Sequence, residues 1–492
     1  MLLIYPPISK PCEPPAGIAR LAGALQLYKV PYRLIDANIN AVRYILHKTN
    51  PKQGEKLFQE LQNPAFYKNP DQYRNSVMKI NKKLDHYSRP YNAVLSLKNL
   101  RHQQLRPVRK QDLIQAFETP ELNPFYDYFK NDLLPQLKAY SDRDIAISLI
   151  YLSQALTAFS LIGLIKKEIA DCRIIVGGGL MSTWMSHPNW DHPFKNIIDI
   201  TVSGPGEAAL LSLYHKTISK KPFYKPDYSQ LFDNNYLAPG RILPYAASAG
   251  CYWRKCTFCP EKAEENRFLP VPHDQTLQTL RSFEPAGLVH FLDNAISPAL
   301  LRRIAQHPLN NAWYGYVRLD RLLLDPDFCV ALKKSGCVML QLGLESGDQK
   351  VLDQMQKGIE LKNASRILHN LRRAGIAIYC YLLFGTPYES YESAQKTMAF
   401  VADHADCIDF VNPAIFNLPI FSKMAQTLTT EPFYSGDLSL YVNFEHPFEW
   451  HRGKVRQFLS KEFRKHPGIA PIMQRVPPVF TSGHAPFFVM KP

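Results

Sequence analysis

The sequence predicts an α/β protein built from two parallel-sheet domains in series, because short apolar strand-like runs alternate with helix-like stretches along most of the chain. Two observations set the division. The N-terminal alternation is interrupted by a long polar, tyrosine-rich stretch at about 41–140, whereas a later series of six βα repeats beginning near Ile242 runs without such a break. A third observation points to chemistry: three cysteines, Cys251, Cys256 and Cys259, stand in one short loop directly after the first strand of that later series.

Composition agrees with this class. A chain of 492 residues can bury two or three large cores, and 46% hydrophobic with 12% aromatic residues are globular values. No apolar run approaches the roughly 20 residues of a membrane span. Met1–Pro7 lacks a basic segment and a cleavage site, so no signal peptide and a cytoplasmic location are expected. Nine cysteines in this length do not make a disulfide framework. The net charge of +15 is spread over the chain, notably in Arg101–Lys110 and His451–His466, and no nucleic-acid motif accompanies it. A solvated basic surface is the expectation, with neither nucleic acid nor membrane as partner.

The first domain is expected over 1–235. Leu2–Tyr5 reads as a strand stopped by Pro6-Pro7, Ala16–Tyr28 as a helix and Tyr32–Ile35 as a second strand, together a parallel βαβ unit. The stretch 41–140, broken by Pro51, Pro64, Pro70, Pro90 and Pro120, reads as a mostly helical insertion. Alternation resumes with a strand at Asp144–Ile150 and a helix from Ser153 to Ile169. The strand Arg173–Val176 then runs into Gly177-Gly178-Gly179, and Ile197–Val202 precedes Gly204-Pro205-Gly206-Glu207. Glycines at strand ends permit either a tight turn or close approach of a ligand.

The second domain is expected over 236–415 as an open or partial (β/α)6 barrel. Its candidate strands are Leu243–Ser248, Leu288–Leu292, Ala312–Val317, Val338–Gly343, Ile376–Leu383 and Cys407–Val411. In such folds the working groups sit at the C-terminal ends of strands. Asp293, Asn294, Arg318, Glu345, Gly385 and Pro387 occupy those positions. Each also has a structural reading: Asp293-Asn294 as a cap for the helix after Pro298, Glu345 as a helix N-terminal acid, Arg318 as an ion-pair partner. Three thiolates so close are a cluster or metal arrangement. A four-iron cluster on three cysteines leaves one iron open; a structural zinc site without a visible fourth ligand, or a chance grouping, are the alternatives. The remaining six cysteines are isolated in apolar settings and read as small buried hydrophobes. Past Ile415 the pattern loosens into a C-terminal extension, 416–492, with a basic helix at His451–His466 and an irregular end.

Two resemblances follow from these motifs. Ser148-Leu149-Ile150 followed by Gly177-Gly178 resembles the cobalamin-binding domain of B12-dependent enzymes, with Ile150 where that family has leucine. The resemblance implies that Ser148, Ile150, Gly177 and Gly178 line the pocket for the nucleotide tail of cobalamin. No histidine has Asp two residues before it and Gly three after it, so a histidine ligand to cobalt is not implied. The second series resembles the radical S-adenosylmethionine (SAM) superfamily. The carriers are Cys251, Cys256 and Cys259, Phe291-Leu-Asp293-Asn294, Tyr316-Val-Arg318, Leu342-Gly-Leu-Glu345-Ser-Gly347, Met355-x-Lys357-Gly358 and Phe384-Gly385-Thr-Pro387-x-Glu389. One residue is added between the first two cysteines, giving Cys-x4-Cys-x2-Cys where the common form is Cys-x3-Cys-x2-Cys. The resemblance implies a [4Fe-4S] cluster on the three cysteines, with SAM contacted by Asp293, Asn294, Arg318, Glu345, Gly385 and Pro387. It implies reductive SAM cleavage and cobalamin-dependent methylation of an unactivated carbon. B12-assisted cyclisation or rearrangement, a radical SAM enzyme with a vacant B12 domain, and a non-catalytic cluster or cobalamin sensor stay open. The implied partners are a small-molecule or peptide substrate and an electron donor such as flavodoxin or ferredoxin.

Overall fold

The computed structural model describes residues 1–187, 190–216, 223–283 and 287–490. The chain forms two compact units, 1–241 with 434–440, and 242–433 with 441–492.

The first unit starts with β1 (Leu2–Tyr5), the helix Ala16–Leu27 and β2 (Arg33–Asp36), followed by an insertion. Asp36 ends β2 and caps the helix Ala37–Thr49, its carboxylate accepting from the Asn38 and Ile39 amides at 3.0 and 3.2 Å. Two of the insertion's prolines start α-helices: Asn50 caps Pro51–Gln62 and Asn69 caps Pro70–Ser88, with proline in the first turn, where its missing N–H costs nothing. The expected helical character is joined by an antiparallel hairpin of β3 (Ala93–Ser96) and β4 (Asn99–His102), which buries Leu95, Leu97 and Leu100. The main sheet then continues with β5 (Asp144–Ser148), β6 (Arg173–Gly177) and β7 (Ile200–Thr201). All five of its strands are parallel, in the order β2-β1-β5-β6-β7. The connections leave in opposite directions between β1 and β5, the point at which such sheets open a crevice for ligands.

The second unit is a six-stranded, all-parallel sheet whose strands lie in sequence order. They are β8 (Ile242–Tyr245), β11 (Leu288–Phe291), β12 (Ala312–Val317), β13 (Cys337–Glu345), β14 (Ala377–Phe384) and β15 (Phe410–Ile415), with β8 and β15 at the edges. Between β8 and β11, the short β9 (Ser248–Ala249) pairs antiparallel with β10 (Leu269–Pro270) and brackets the cysteine loop. Amphipathic helices separate the later strands, among them Pro298–Gln306 and Leu361–Arg373.

The C-terminal extension divides between the units, since 434–440 belongs to the first. The rest is more regular than its composition suggests. β16 (Leu418–Pro419), β17 (Thr430–Pro432) and β18 (Tyr441–Phe444) form a small antiparallel sheet, and the stretch expected to be irregular contains the helix Thr481–Val489. Gly483 and Pro486 disfavour that helix locally. It is held by packing on β13 and β14, with His484, Ala485 and Pro486 buried. Among the described residues, no helix is long and apolar enough to cross a membrane.

Candidate functional site

The cysteine loop follows β9 at the C-terminal end of the six-stranded sheet. All three cysteines are free; Cys256 is buried, and Cys251 and Cys259 are half-buried. Pro260 in the first turn starts the short helix Pro260–Ala263 directly after Cys259. Burial pushes the Cys259 thiol up to about 11, so a cation or cluster that takes the thiolate must displace a proton.

The loop is anchored to the turn after the helix Gln349–Gln354, which follows β13. The Thr257 amide donates to the Met355 carbonyl at 3.0 Å, and the Trp253 indole N–H donates to the Gln356 carbonyl at 3.1 Å. Arg318, one residue beyond β12, is buried against both segments. Its guanidinium stacks 4.0 Å from the Trp253 ring centroid, approaches the Cys256 sulfur at 3.9 Å and donates to the Lys357 carbonyl. Gly358 closes the arrangement in a left-handed conformation (φ +66°), and a Cβ there would lie 2.3 Å from Trp253. Only glycine accommodates both demands.

Glu345 ends β13 with φ +66° and forms a largely buried ion pair with Lys357 at 2.7 Å. It is therefore not a helix N-terminal acid. Asp293 is buried just past β11, and both its carboxylate oxygens are committed: one accepts from the Ala247 amide at 3.0 Å, the other from the Ser248 hydroxyl. This pins the chain entering the cysteine loop, while desolvation raises the carboxyl to about 6. Asn294 is exposed beside it, and neither residue caps the next helix; Ser297 does, accepting from the Leu300 amide at 3.2 Å. Gly385 and Pro387 form the turn after β14. Its centre is Glu389, wholly buried, whose Oε2 accepts from the Gly385 amide and from the Trp450 indole N–H. Its Oε1 has no partner, and burial raises its carboxyl to about 8.

Arg318, Glu345, Lys357 and the three cysteines thus share the C-terminal end of one sheet. Lys357 and Glu389 stand in motifs that carry the resemblance and Trp253 lies between the first two cysteines, but the partners of all three are distant in sequence and visible only in the fold.

In the first unit, Ser148, Ile150, Gly177 and Gly178 all line a mostly apolar cleft of about 250 Å³ at the ends of β5 and β6. Gly178 sits at φ +107°, where a Cβ would lie 2.5 Å from the Leu149 carbonyl oxygen. Positions 179 and 204 on the cleft wall have nothing within 4 Å of where a Cβ would stand, which leaves room for a ligand against bare backbone. The Arg20–Glu207 ion pair borders it, and no histidine lines it among the described residues.

Comparison with known proteins gives a consistent picture. The family model described as "Radical SAM superfamily" matches residues 245–401. The chain is similar to the bacteriochlorophyllide d C-12(1)-methyltransferase of Chlorobaculum tepidum, 27% identical over 190 residues, which cover 36% of this chain and 41% of that protein. The match thus spans less than half of the relative's length. Among solved structures it is similar to the radical SAM methyltransferase TsrM from Kitasatospora setae with cobalamin and [4Fe-4S] cluster bound. There the TM-score is 0.54 at 14% identity, covering 87% of this chain and 77% of the other. It is also similar to the cobalamin-dependent SAM radical enzyme OxsB with aqua-cobalamin bound, with TM-score 0.53 at 13% identity, covering 96% and 57%. At these identities the structural likeness is one of fold. With its three-cysteine loop at the head of six parallel strands and a parallel-sheet unit before it, the chain matches the radical SAM superfamily model over 245–401 and shares its fold with the solved cobalamin-dependent radical SAM enzymes.

Proposed function

We propose that the chain is a radical SAM enzyme that methylates an unactivated carbon of a small-molecule or peptide substrate with the help of cobalamin. The observation that carries this reading is the loop of three free thiols, with Arg318 against Cys256, at the C-terminal end of the parallel sheet. The donor set fits a [4Fe-4S] cluster: three thiols in one loop supply three of four iron positions and leave one for SAM. The cleft in the first unit, mostly apolar and floored by glycine backbone, suits the nucleotide tail of cobalamin and supports it as the second cofactor. Bound together, these groups supply reductive SAM cleavage and a methyl carrier.

The chain's own residues hold and tune. Cys251, Cys256 and Cys259 would hold the cluster as thiolates, and Arg318 would place positive charge beside one of them. Glu345, held by Lys357, and the turn at Gly385 and Pro387, held by Glu389, position SAM. Asn294, exposed beside the pinned Asp293, adds a polar contact. Ser148, Ile150, Gly177 and Gly178 hold the nucleotide tail. A flavodoxin- or ferredoxin-type protein supplies the electron.

Anaerobic reconstitution tests the reading. About four irons per chain, an electron-paramagnetic signal that changes on adding SAM, and release of 5′-deoxyadenosine under reduction are expected. The Cys256→Ala variant should lose the cluster. A reconstituted protein whose signal ignores SAM overturns the radical SAM assignment, and a visible spectrum without bound cobalamin at saturating supply overturns the cobalamin part alone.

A further inference from the structure

At the end of the six-stranded sheet away from the cysteine loop, three metal-ligating side chains converge. Cys407 and Asp406 lie in the turn leading into β15, and His369 lies on the helix Leu361–Arg373. One ring nitrogen of His369, a carboxylate oxygen of Asp406 and the Cys407 sulfur all lie within 4.8 Å of one another. Cys407, which reads from the sequence as an isolated buried hydrophobe, is therefore part of a group.

Two further features prepare that group. The His369 Nδ1 lies 2.9 Å from the Ser365 carbonyl oxygen. A carbonyl only accepts, so Nδ1 is committed as a donor and Nε2 is the ring nitrogen left to ligate a cation, the arrangement found behind metal-bound histidines. The Ser365 hydroxyl in turn contacts the His404 Nε2 at 2.7 Å, and His404 Nδ1 lies 2.7 Å from the Phe400 carbonyl. That chain of contacts ties the end of the helix Tyr391–Asp403 to the helix bearing His369 and fixes the turn before Asp406. The neighbouring Asp409 is otherwise engaged, accepting from the Ile378 amide at 2.8 Å and facing Arg372 at 3.4 Å.

We propose that His369, Asp406 and Cys407 form a binding site for one zinc-class divalent cation, with water as the fourth ligand. Nitrogen, oxygen and sulfur donors together suit Zn²⁺ and exclude the oxygen-only preference of Mg²⁺ and Ca²⁺. Binding transfers the thiol proton to solvent, and thiolate plus carboxylate neutralise the cation. The site would tie the last βα connection of the domain together at the face where stability resides.

The test uses the full chain with its cluster reconstituted, incubated with zinc chloride, desalted through a weak chelator and analysed for zinc and iron by mass spectrometry. About one zinc per chain is expected, falling at least tenfold in His369→Ala and in Cys407→Ala with iron unchanged. His369 is only half-buried, so its variant keeps the fold. A parallel chain with Cys251, Cys256 and Cys259 all changed to alanine should still retain the zinc. Zinc lost in that chain, zinc unaffected by both single variants, or no zinc retained by the wild type each overturns the proposal.

Discussion

Replacing Gly358 with alanine perturbs the cysteine loop without touching a cysteine. The new methyl would meet Trp253 at 2.3 and 2.7 Å, and the backbone is left-handed at φ +66°. A non-glycine residue in that conformation costs about 1–2 kcal/mol, and forcing a methyl into packed space costs about 1–3 kcal/mol more. Together they amount to about 2–5 kcal/mol. Trp253 cannot yield cheaply, because it donates to the Gln356 carbonyl and carries the Arg318 guanidinium on its face. Its displacement should move Arg318 away from Cys256. Gly375→Ala is the internal control: its φ is +73°, yet its nearest neighbour is the flexible end of Lys333 at 3.8 Å. It should cost only the conformational part, about 1–2 kcal/mol. Urea unfolding gives the two stabilities, and iron content with the electron-paramagnetic spectrum after reconstitution gives the local effect. Equal costs for the two variants, or a Gly358→Ala protein with wild-type iron and spectrum, would refute the argument that Trp253 couples this turn to the loop.

Other expectations can be measured in parallel. Lys357→Met should lower stability by about 3–5 kcal/mol in denaturant titration, because it leaves Glu345 largely buried and unpaired, and the double variant with Glu345→Gln should recover most of that loss. Glu389, raised to about 8, holds a proton in the folded state that the unfolded chain has released above the ordinary glutamate range. Stability should therefore fall as pH rises from about 4.5 to 8, by up to about 5 kcal/mol, and level off above. Glu389→Gln should abolish that slope and match wild type near the acid end; an unchanged slope counts against a protonated Glu389. Gly179→Phe places a ring in the first unit's cleft without a backbone clash and should weaken cobalamin binding at least tenfold while leaving iron content unchanged; visible spectra of bound cobalamin report it.

Features that short stretches of chain encode are legible without the fold. Ala312–Val317 as a strand, the alternation around it and the grouping of Cys251, Cys256 and Cys259 are local facts, since apolar periodicity and loop connectivity suffice for them. Strand-end positions such as Arg318 and Glu345 were legible for the same reason. Contacts between partners far apart in sequence came from the fold. Asp293 turns back to residues 247 and 248 rather than capping its own helix. Trp253, Arg318 and Lys357 meet across three segments. The helix Thr481–Val489 forms against its own propensity because burial on β13 and β14 outweighs it. His369 and Cys407 acquire a common site from two elements that no motif links. Propensity and spacing act over a few residues, whereas desolvation, ion pairing and packing depend on which segments the fold brings together.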